Sequence, residues 1–246
     1  MIRHLLVIGA QRCGTTYLHA LLDAHPEITM ARPSRPEPKV FCSGEVASRG
    51  ARWYRDTYFR HATSERILGE KSTSYLEDAE AATRAAEVLG EVHVVAVLRD
   101  PVERAISNWR FSSRHGFETR GLEAALRENL AGTTPWDPRR TSVSPYAYLE
   151  RGRYHEYLQP WIDAFPDTSH VVFLEDLVKD DQTTVDLLTR LGVSPDPAAE
   201  PPATKMNSSR RVGSGGLSGE LLGTLETYYE SSNLALSAQL GRELPW

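Results

Sequence analysis

A chain of 246 residues, 40% of them hydrophobic and 25% charged, has enough apolar material for a sizeable core and the length of one large globular domain. Its formal net charge of −5 argues against broad nucleic-acid binding, which normally requires a basic face over the whole domain. The apolar start at residues 5–8 is too short for a signal peptide or a membrane span. We therefore expect a single domain over residues 1–246, a cytoplasmic location, no nucleic-acid partner and no membrane span.

Apolar runs and helical periodicities alternate along the chain. The first run ends at Gly9 and is followed by leucines at helical spacing, which predicts a strand, a loop and a helix. A later run, rich in β-branched residues, is typical of a buried strand and follows an Ala-rich, helix-like segment. In chain order, strands are predicted at 4–8, 67–69, 92–98 and 170–174, and helices at 15–24, 77–89, 102–115, 154–165, 183–191 and 217–240.

This alternation predicts an α/β fold, a single P-loop-like domain with a central parallel sheet flanked by helices. Ligands of such sheets bind beyond the carboxyl ends of the strands. Two stretches, 133–145 and 194–216, are rich in turn-forming residues and are expected to be irregular. Loops of this length often form lids or binding loops, so we predict that both stretches bind ligands. The last helix is expected to pack back on the sheet.

The first loop has the glycine spacing of a phosphate-binding loop. It runs Gly9-Ala10-Gln11-Arg12-Cys13-Gly14-Thr15-Thr16 between the first predicted strand and the first predicted helix. In that position backbone N–H groups and the helix N-terminus can hold an anion. A nucleoside triphosphate site would require Lys after the second glycine, and this chain has Thr15 there. The sequence therefore favours a phosphate site of another kind.

The predicted strand at 92–98 is followed directly by Arg99, where nucleoside triphosphatases commonly place the magnesium-binding Asp. A guanidinium does not bind a metal ion, but it forms bidentate pairs with phosphate and is always charged. Arg99 could alternatively be paired with Asp100 or Glu103. With the missing Lys, this arrangement predicts a cationic site for a nucleotide held without a metal.

At these residues the chain resembles the sulfotransferases that use 3'-phosphoadenosine 5'-phosphosulfate (PAPS), closest to the heparan-sulfate type and its bacterial relatives. The resemblance covers almost the whole chain. It implies that the 5'-phosphosulfate contacts the first loop, here Gln11, Arg12, Cys13, Gly14, Thr15 and Thr16. The segment Arg99-Asp100-Pro101-Val102-Glu103-Arg104-Ala105-Ile106-Ser107-Asn108 resembles the family's 3'-phosphate site, with Arg99 and Ser107 as the contacting residues.

The same resemblance implies catalytic roles for three residues. Glu37, in the segment Pro36-Glu37-Pro38, falls where heparan-type enzymes carry the base that takes the proton of the acceptor hydroxyl. The segment Glu70-Lys71-Ser72-Thr73-Ser74-Tyr75 resembles the family's Glu-Lys-(Ser/Thr)-Pro strand end, whose lysine, here Lys71, lies near the transferring group. Arg12 stands where many members have Lys, and it can supply charge but is a poor proton donor. Our hypothesis is that Arg12 clamps the phosphosulfate and that Lys71 shares in stabilising the leaving oxygen.

The resemblance also implies that the stretches 133–145 and 194–216 serve the acceptor or the nucleotide. The loop containing Lys205, Ser209, Arg210 and Arg211 is implied to close over the nucleotide, with Arg210 and Arg211 as an anion clamp. The expected partner is a small-molecule or sugar acceptor with a hydroxyl group, and the expected product is 3'-phosphoadenosine 5'-phosphate (PAP). No Cys/His spacing predicts a zinc site and no acidic pair predicts a divalent cation. The alternatives are a P-loop small-molecule kinase, disfavoured by Thr15 and Arg99, and a catalytically inactive nucleotide-binding protein, for which Arg12 is the best argument.

Overall fold

The computed structural model describes residues 3–141, 143–195 and 216–246. These residues fall into two compact units. Among the described residues, the first unit holds 3–98 and 157–195, and the second holds 99–141, 143–156 and 216–246. The prediction of a single domain over residues 1–246 stays a prediction.

A five-stranded parallel sheet lies entirely in the first unit. Its strands are β1 (Arg3–Gly9), β2 (Ile28–Met30), β3 (Ile67–Lys71), β4 (Val92–Leu98) and β5 (Ser169–Phe173), arranged in the order β2-β3-β1-β4-β5. The central strand β1 pairs in parallel with β3 and β4, and Val7 lies opposite Lys71. The carboxyl ends of β1 and β3 therefore meet at the same edge of the sheet, where the predicted phosphate loop begins.

Ten α-helices are described. They are α1 (Thr15–Asp23), α2 (Gly44–Ala47), α3 (Gly50–Tyr58), α4 (Ala79–Leu89), α5 (Pro101–Arg114), α6 (Leu122–Leu130), α7 (Tyr154–Ala164), α8 (Leu174–Leu177), α9 (Gln182–Arg190) and α10 (Gly219–Leu240). Short 3₁₀ turns lie at Val40–Cys42, Tyr75–Glu77 and Glu150–Gly152. Asp78 begins α4 by accepting the N–H groups of Glu80 and Ala81, which is the usual capping role of Asp.

The second unit has its own apolar core, formed where α5, α6 and α10 meet. Its fully buried members are Ala105, Ala125, Leu126, Tyr148, Leu149, Leu221, Leu225 and Tyr229. Gly152 packs so closely on Tyr229 that a Cβ there would lie 2.7 Å from the ring. The last helix was predicted to pack on the sheet, but its buried residues Leu221, Leu225 and Tyr229 belong to the core that it shares with α5 and α6.

The predicted α/β fold with a parallel sheet flanked by helices is confirmed. The strand predicted at 92–98 matches β4, and the predicted helices agree with α1, α4, α5, α7, α9 and α10 to within two residues at each end. The strand predicted at 170–174 ends one residue earlier, because Leu174 begins α8. The short strand β2 and the helices α2, α3, α6 and α8 were not expected from the sequence. The stretch 133–145 is irregular, as predicted, over its described residues.

Two buried histidines in the first unit have lowered pKa values. His4 is 5% exposed beside the rings of Tyr54 and Phe59, and neither of its ring nitrogens has a hydrogen-bond partner among the described residues. Burial, followed by the charge of Arg55, lowers the pKa of His4 to about 4. For His170, burial and then the neighbouring His93 lower the pKa to about 4 as well. Both rings are therefore neutral in the folded protein at pH 7.

We expect the free energy of unfolding to fall as the pH drops from about 6.5 to about 4. Because the folded pKa values lie below the unfolded value of 6.5, the stabilisation is complete above pH 6.5 and is lost towards pH 4. Each histidine should contribute on the order of 2–3 kcal/mol over this range. Urea unfolding at several pH values should show a shallower loss for His4→Phe, whereas the exposed control His115→Gln should match the wild type. An unchanged slope for His4→Phe would contradict the assignment.

Candidate functional site

The predicted phosphate loop connects β1 to α1 at the carboxyl edge of the sheet. Ala10 N–H donates to Val97 O at 2.8 Å, which fastens the loop to β4. Gly14 has a left-handed backbone, with φ of 86°. This backbone conformation favours glycine, and a Cβ there would also lie 2.5 Å from Leu174 Cδ1, so the leucine side chain would have to move. Cys13 is fully buried, as expected of a small packing residue.

The loop and the start of α1 fit a phosphate group. Gly14 precedes α1 and offers no side chain to cap its N-terminus, and the first turn carries no acidic residue. Arg12 has a left-handed backbone, with φ of 70°, which is uncommon for a residue with a side chain. Where right-handed and left-handed backbone conformations follow one another in a loop, successive N–H groups form a concave array that binds anions. Among the loop residues named from the sequence, Thr15 and Thr16 form the first turn of α1.

Gln11 has a structural partner. Its side-chain amide donates to Glu77 Oε1 at 3.0 Å, which ties the loop to the 3₁₀ turn after β3. Gly9 also lies against this turn, because a Cβ there would be 2.9 Å from Leu76 Cβ and 3.4 Å from Thr73 O. The phosphate loop and the residues after β3 are thus in direct contact.

Glu37 and Lys71 form a half-buried ion pair beside the same turn. Lys71 Nζ donates to Glu37 Oε1, and the two side chains are 12% and 18% exposed, in the order Lys71 and Glu37. Thr73 holds the other carboxylate oxygen, donating its N–H and its hydroxyl to Glu37 Oε2, each at 3.0 Å. The structure therefore brings together the two residues assigned to proton abstraction and leaving-group stabilisation.

His19 belongs to this group of charges and was not singled out from the sequence. It lies on α1, one turn after Thr15. Burial and next the Lys71 charge lower the pKa of His19, whereas the charges of Asp23 and Glu37 oppose the shift. The only signal in the sequence was its position one helical turn from the phosphate loop.

In the second unit, Arg99 precedes α5 and is 9% exposed. Its guanidinium donates to Glu103 Oε2 at 3.1 Å, and Tyr154 Oη donates to Arg99 O at 2.8 Å. Asp100 caps α5 by accepting the N–H groups of Val102 and Glu103. Of the two partners considered from the sequence, the structure thus shows Glu103 in an ion pair with Arg99. Ser107 follows Glu103 by one turn on the same face of α5.

Several predictions from the sequence concern other parts of the chain. Lys205, Ser209, Arg210 and Arg211 lie outside the described residues. Within the described ranges, no group of three or more His, Cys, Asp and Glu side chains is arranged to hold a metal ion. None of the described helices is both long and apolar enough to cross a membrane.

Comparison with known proteins identifies the family. A family model described as "Sulfotransferase domain" matches residues 3–192. The bifunctional heparan sulfate N-deacetylase/N-sulfotransferase 4 of Mus musculus is 32% identical over 200 residues, which cover 77% of this chain and 22% of that protein. The heparan sulfate glucosamine 3-O-sulfotransferase 3B1 of the same species is 29% identical over 164 residues, covering 65% of this chain and 38% of that protein. The chain therefore spans less than half the length of either relative.

A solved structure agrees with this assignment at the level of the fold. The crystal structure of a sulfotransferase from Alicyclobacillus acidocaldarius superposes with a TM-score of 0.78 and 24% sequence identity. The match covers 99% of this chain and 98% of that one. At this identity the likeness concerns the arrangement of strands and helices.

Proposed function

Because the chain belongs to the sulfotransferase family, we propose that it transfers the sulfuryl group of PAPS to a hydroxyl of a small-molecule or carbohydrate acceptor. The observation that supports this most directly is the half-buried Glu37–Lys71 ion pair. It lies against Thr73, whose carbonyl borders the first residue of the phosphate loop. A base and a cation next to a phosphate site are the groups that an in-line transfer requires.

Bound PAPS supplies the sulfur electrophile and leaves as PAP. A bond forms between the acceptor oxygen and sulfur, and the bond between sulfur and the bridging phosphate oxygen breaks, leaving its electron pair on that oxygen. Glu37 takes the proton of the acceptor hydroxyl. The loop N–H groups and Arg12 hold the 5'-phosphosulfate in place, and Arg99 with Ser107 holds the 3'-phosphate.

Lys71 is paired with Glu37, yet it can also serve the leaving oxygen. An ammonium group has three N–H donors, and one of them is directed to Glu37 Oε1. The remaining donors are available to a phosphate oxygen without breaking the ion pair. Lys71 would then orient the base and stabilise the developing negative charge at the same time.

We expect the purified protein, without magnesium, to bind PAP about tenfold or more tightly than 5'-ADP. One additional charge-assisted contact contributes roughly 1.5–3 kcal/mol, and only PAP carries the 3'-phosphate. Isothermal titration calorimetry with PAP, 5'-ADP and magnesium ATP measures this preference. The variants Arg99→Ala and Ser107→Ala should reduce the preference for PAP. The control Arg110→Ala, which removes a cation from the helix that carries Ser107, should not.

The other outcomes of this titration identify the competing functions. A preference for magnesium ATP would contradict the proposal and favour the small-molecule kinase. Failure to bind any of the three nucleotides would favour a protein without this activity.

The acceptor is tested with sulfur-labelled PAPS and a panel of acceptors. The relatives' names include both an N-sulfotransferase and a 3-O-sulfotransferase. The panel therefore contains 4-nitrophenyl glucoside, a heparosan oligosaccharide and its N-deacetylated form. Label in either hydroxyl acceptor supports the proposal, whereas label in the amine of the N-deacetylated form alone would correct the acceptor group from hydroxyl to amine.

A further inference from the structure

Glu70 is a fully buried carboxylate that immediately precedes Lys71 in β3. Its Oε1 accepts hydrogen bonds from Ser72 Oγ and Tyr75 Oη, both at 2.6 Å, and its Oε2 accepts one from Tyr54 Oη at 2.7 Å. Burial raises the pKa of Glu70, and these three hydrogen bonds oppose the shift. Burying a carboxylate costs solvation free energy, so a buried Glu next to the candidate catalytic lysine indicates a functional role.

Two of the three hydroxyls also accept hydrogen bonds from the backbone of another segment of the chain. Ser72 Oγ accepts the N–H of Lys39 at 2.9 Å, and Tyr75 Oη accepts the N–H of Phe41 at 3.3 Å. We call Ser72 and Tyr75 the relay hydroxyls, and the N–H groups of Lys39 and Phe41 the loop amides. A hydroxyl has one proton to donate, so donating it to Glu70 turns its lone pairs towards the loop amides.

The loop amides belong to the segment that carries Glu37. Lys39 has a left-handed backbone with φ of 52°, and the 3₁₀ turn Val40–Cys42 follows it. Positions 37, 39 and 41 therefore each form a hydrogen bond with the last residue of β3 or with the residues that follow it. The Glu37 side chain is held by Lys71 and Thr73, and the backbone two and four residues later is held by the relay hydroxyls.

We propose that Glu70 is a positioning residue for sulfuryl transfer, which fixes the segment carrying Glu37 through the relay hydroxyls. This inference rests on the proposed function, in which Glu37 is the base. Glu70 does not contact the reacting atoms. Its contribution is to keep the Glu37 carboxylate at one distance and angle, and a displacement of about 1 Å can cost roughly 100-fold in rate.

Single-atom deletions around Glu70 provide a matched test. The variants Ser72→Ala and Tyr75→Phe each remove one relay hydroxyl. The control Tyr54→Phe removes an equally short hydrogen bond from the same carboxylate, but this hydroxyl has no contact with the loop amides. Labelled PAPS and the panel acceptor with the fastest turnover give kcat and KM, and calorimetry gives the affinity for PAP.

We expect Ser72→Ala, Tyr75→Phe and Glu70→Gln to lower kcat by about tenfold or more, with PAP affinity and acceptor KM within about twofold of wild type. Tyr54→Phe should keep kcat within about twofold of wild type. Its free energy of unfolding should fall about as much as that of Ser72→Ala and Tyr75→Phe. A purely structural role for Glu70 predicts instead that all four variants lose stability and activity together. If Glu70→Gln does not fold, the two relay variants and the control decide the matter.

Amide hydrogen exchange supplies a readout that does not depend on turnover. Exchange of the Lys39 amide should accelerate in Ser72→Ala, and that of the Phe41 amide in Tyr75→Phe, with neither changed in Tyr54→Phe. Unchanged exchange, or unchanged kcat in both relay variants while the wild type is active, would overturn the positioning role and leave the proposed function standing. A wild type that transfers no sulfuryl group would overturn the proposed function, and the positioning role with it.

Discussion

Glu37→Gln should lower kcat for sulfuryl transfer by about 10²–10⁴-fold, the usual contribution of a positioned general base. The amide keeps the size of the side chain and can still accept the Thr73 N–H, but it cannot take a proton from the acceptor. Affinity for PAP should stay within about threefold, because nucleotide contacts are assigned to the phosphate loop and to Arg99. The measurement is steady-state transfer from labelled PAPS, which gives kcat, with calorimetry for the affinity for PAP.

The matched control is Glu45→Gln, which neutralises an exposed carboxylate in the nearby helix α2. It should leave both kcat and PAP affinity unchanged. If Glu37→Gln retained wild-type kcat, Glu37 would not be the base, and its pairing with Lys71 would be structural.

Lys71→Met should abolish measurable turnover, a loss of about 10²–10³-fold or more, while PAP binding stays largely intact. Methionine keeps much of the aliphatic stem but removes the charge that stabilises the leaving oxygen. It also removes the cation that orients Glu37, which is 18% exposed and would lose a partner. The expected loss therefore has two sources, and a further variant separates them.

The double variant Lys71→Met with Glu37→Gln distinguishes the two roles of the lysine. If Lys71 only held Glu37, the double variant would be no slower than Glu37→Gln alone. A direct role at the leaving oxygen predicts that the double variant is slower. Unchanged turnover in the single Lys71→Met variant would contradict both roles.

The fold could be predicted from the sequence where an element was long and its pattern strong. The run of valines in β4 and the leucines of α1 leave little choice of structure. The strand β2 escaped prediction because it has three residues, too few to show a period. The helix α3 escaped prediction because three of its nine residues are charged and Tyr54 is its one fully buried residue.

The site could be predicted in part from local motifs. The phosphate loop at 9–16, and Arg99 directly after β4, could be recognised because their characteristic residues are adjacent in the sequence. The ion pair between Glu37 and Lys71 joins positions 34 residues apart, which no spacing rule predicts. Glu70 stood in a segment that resembles a family motif, but the sequence predicted no role for it, because its contacts with Tyr54 and Tyr75 are visible only in the folded chain.

If Arg99 binds the 3'-phosphate as proposed, its ion pair with Glu103 makes that binding an exchange of counter-ions. A phosphate that reaches Arg99 replaces a carboxylate already in place, so the charge gained is smaller than at an isolated guanidinium. Affinity for PAP should then decline only gently as ionic strength rises. Chloride would have to displace the same carboxylate with a single charge, so we expect it to compete only weakly with PAP at Arg99.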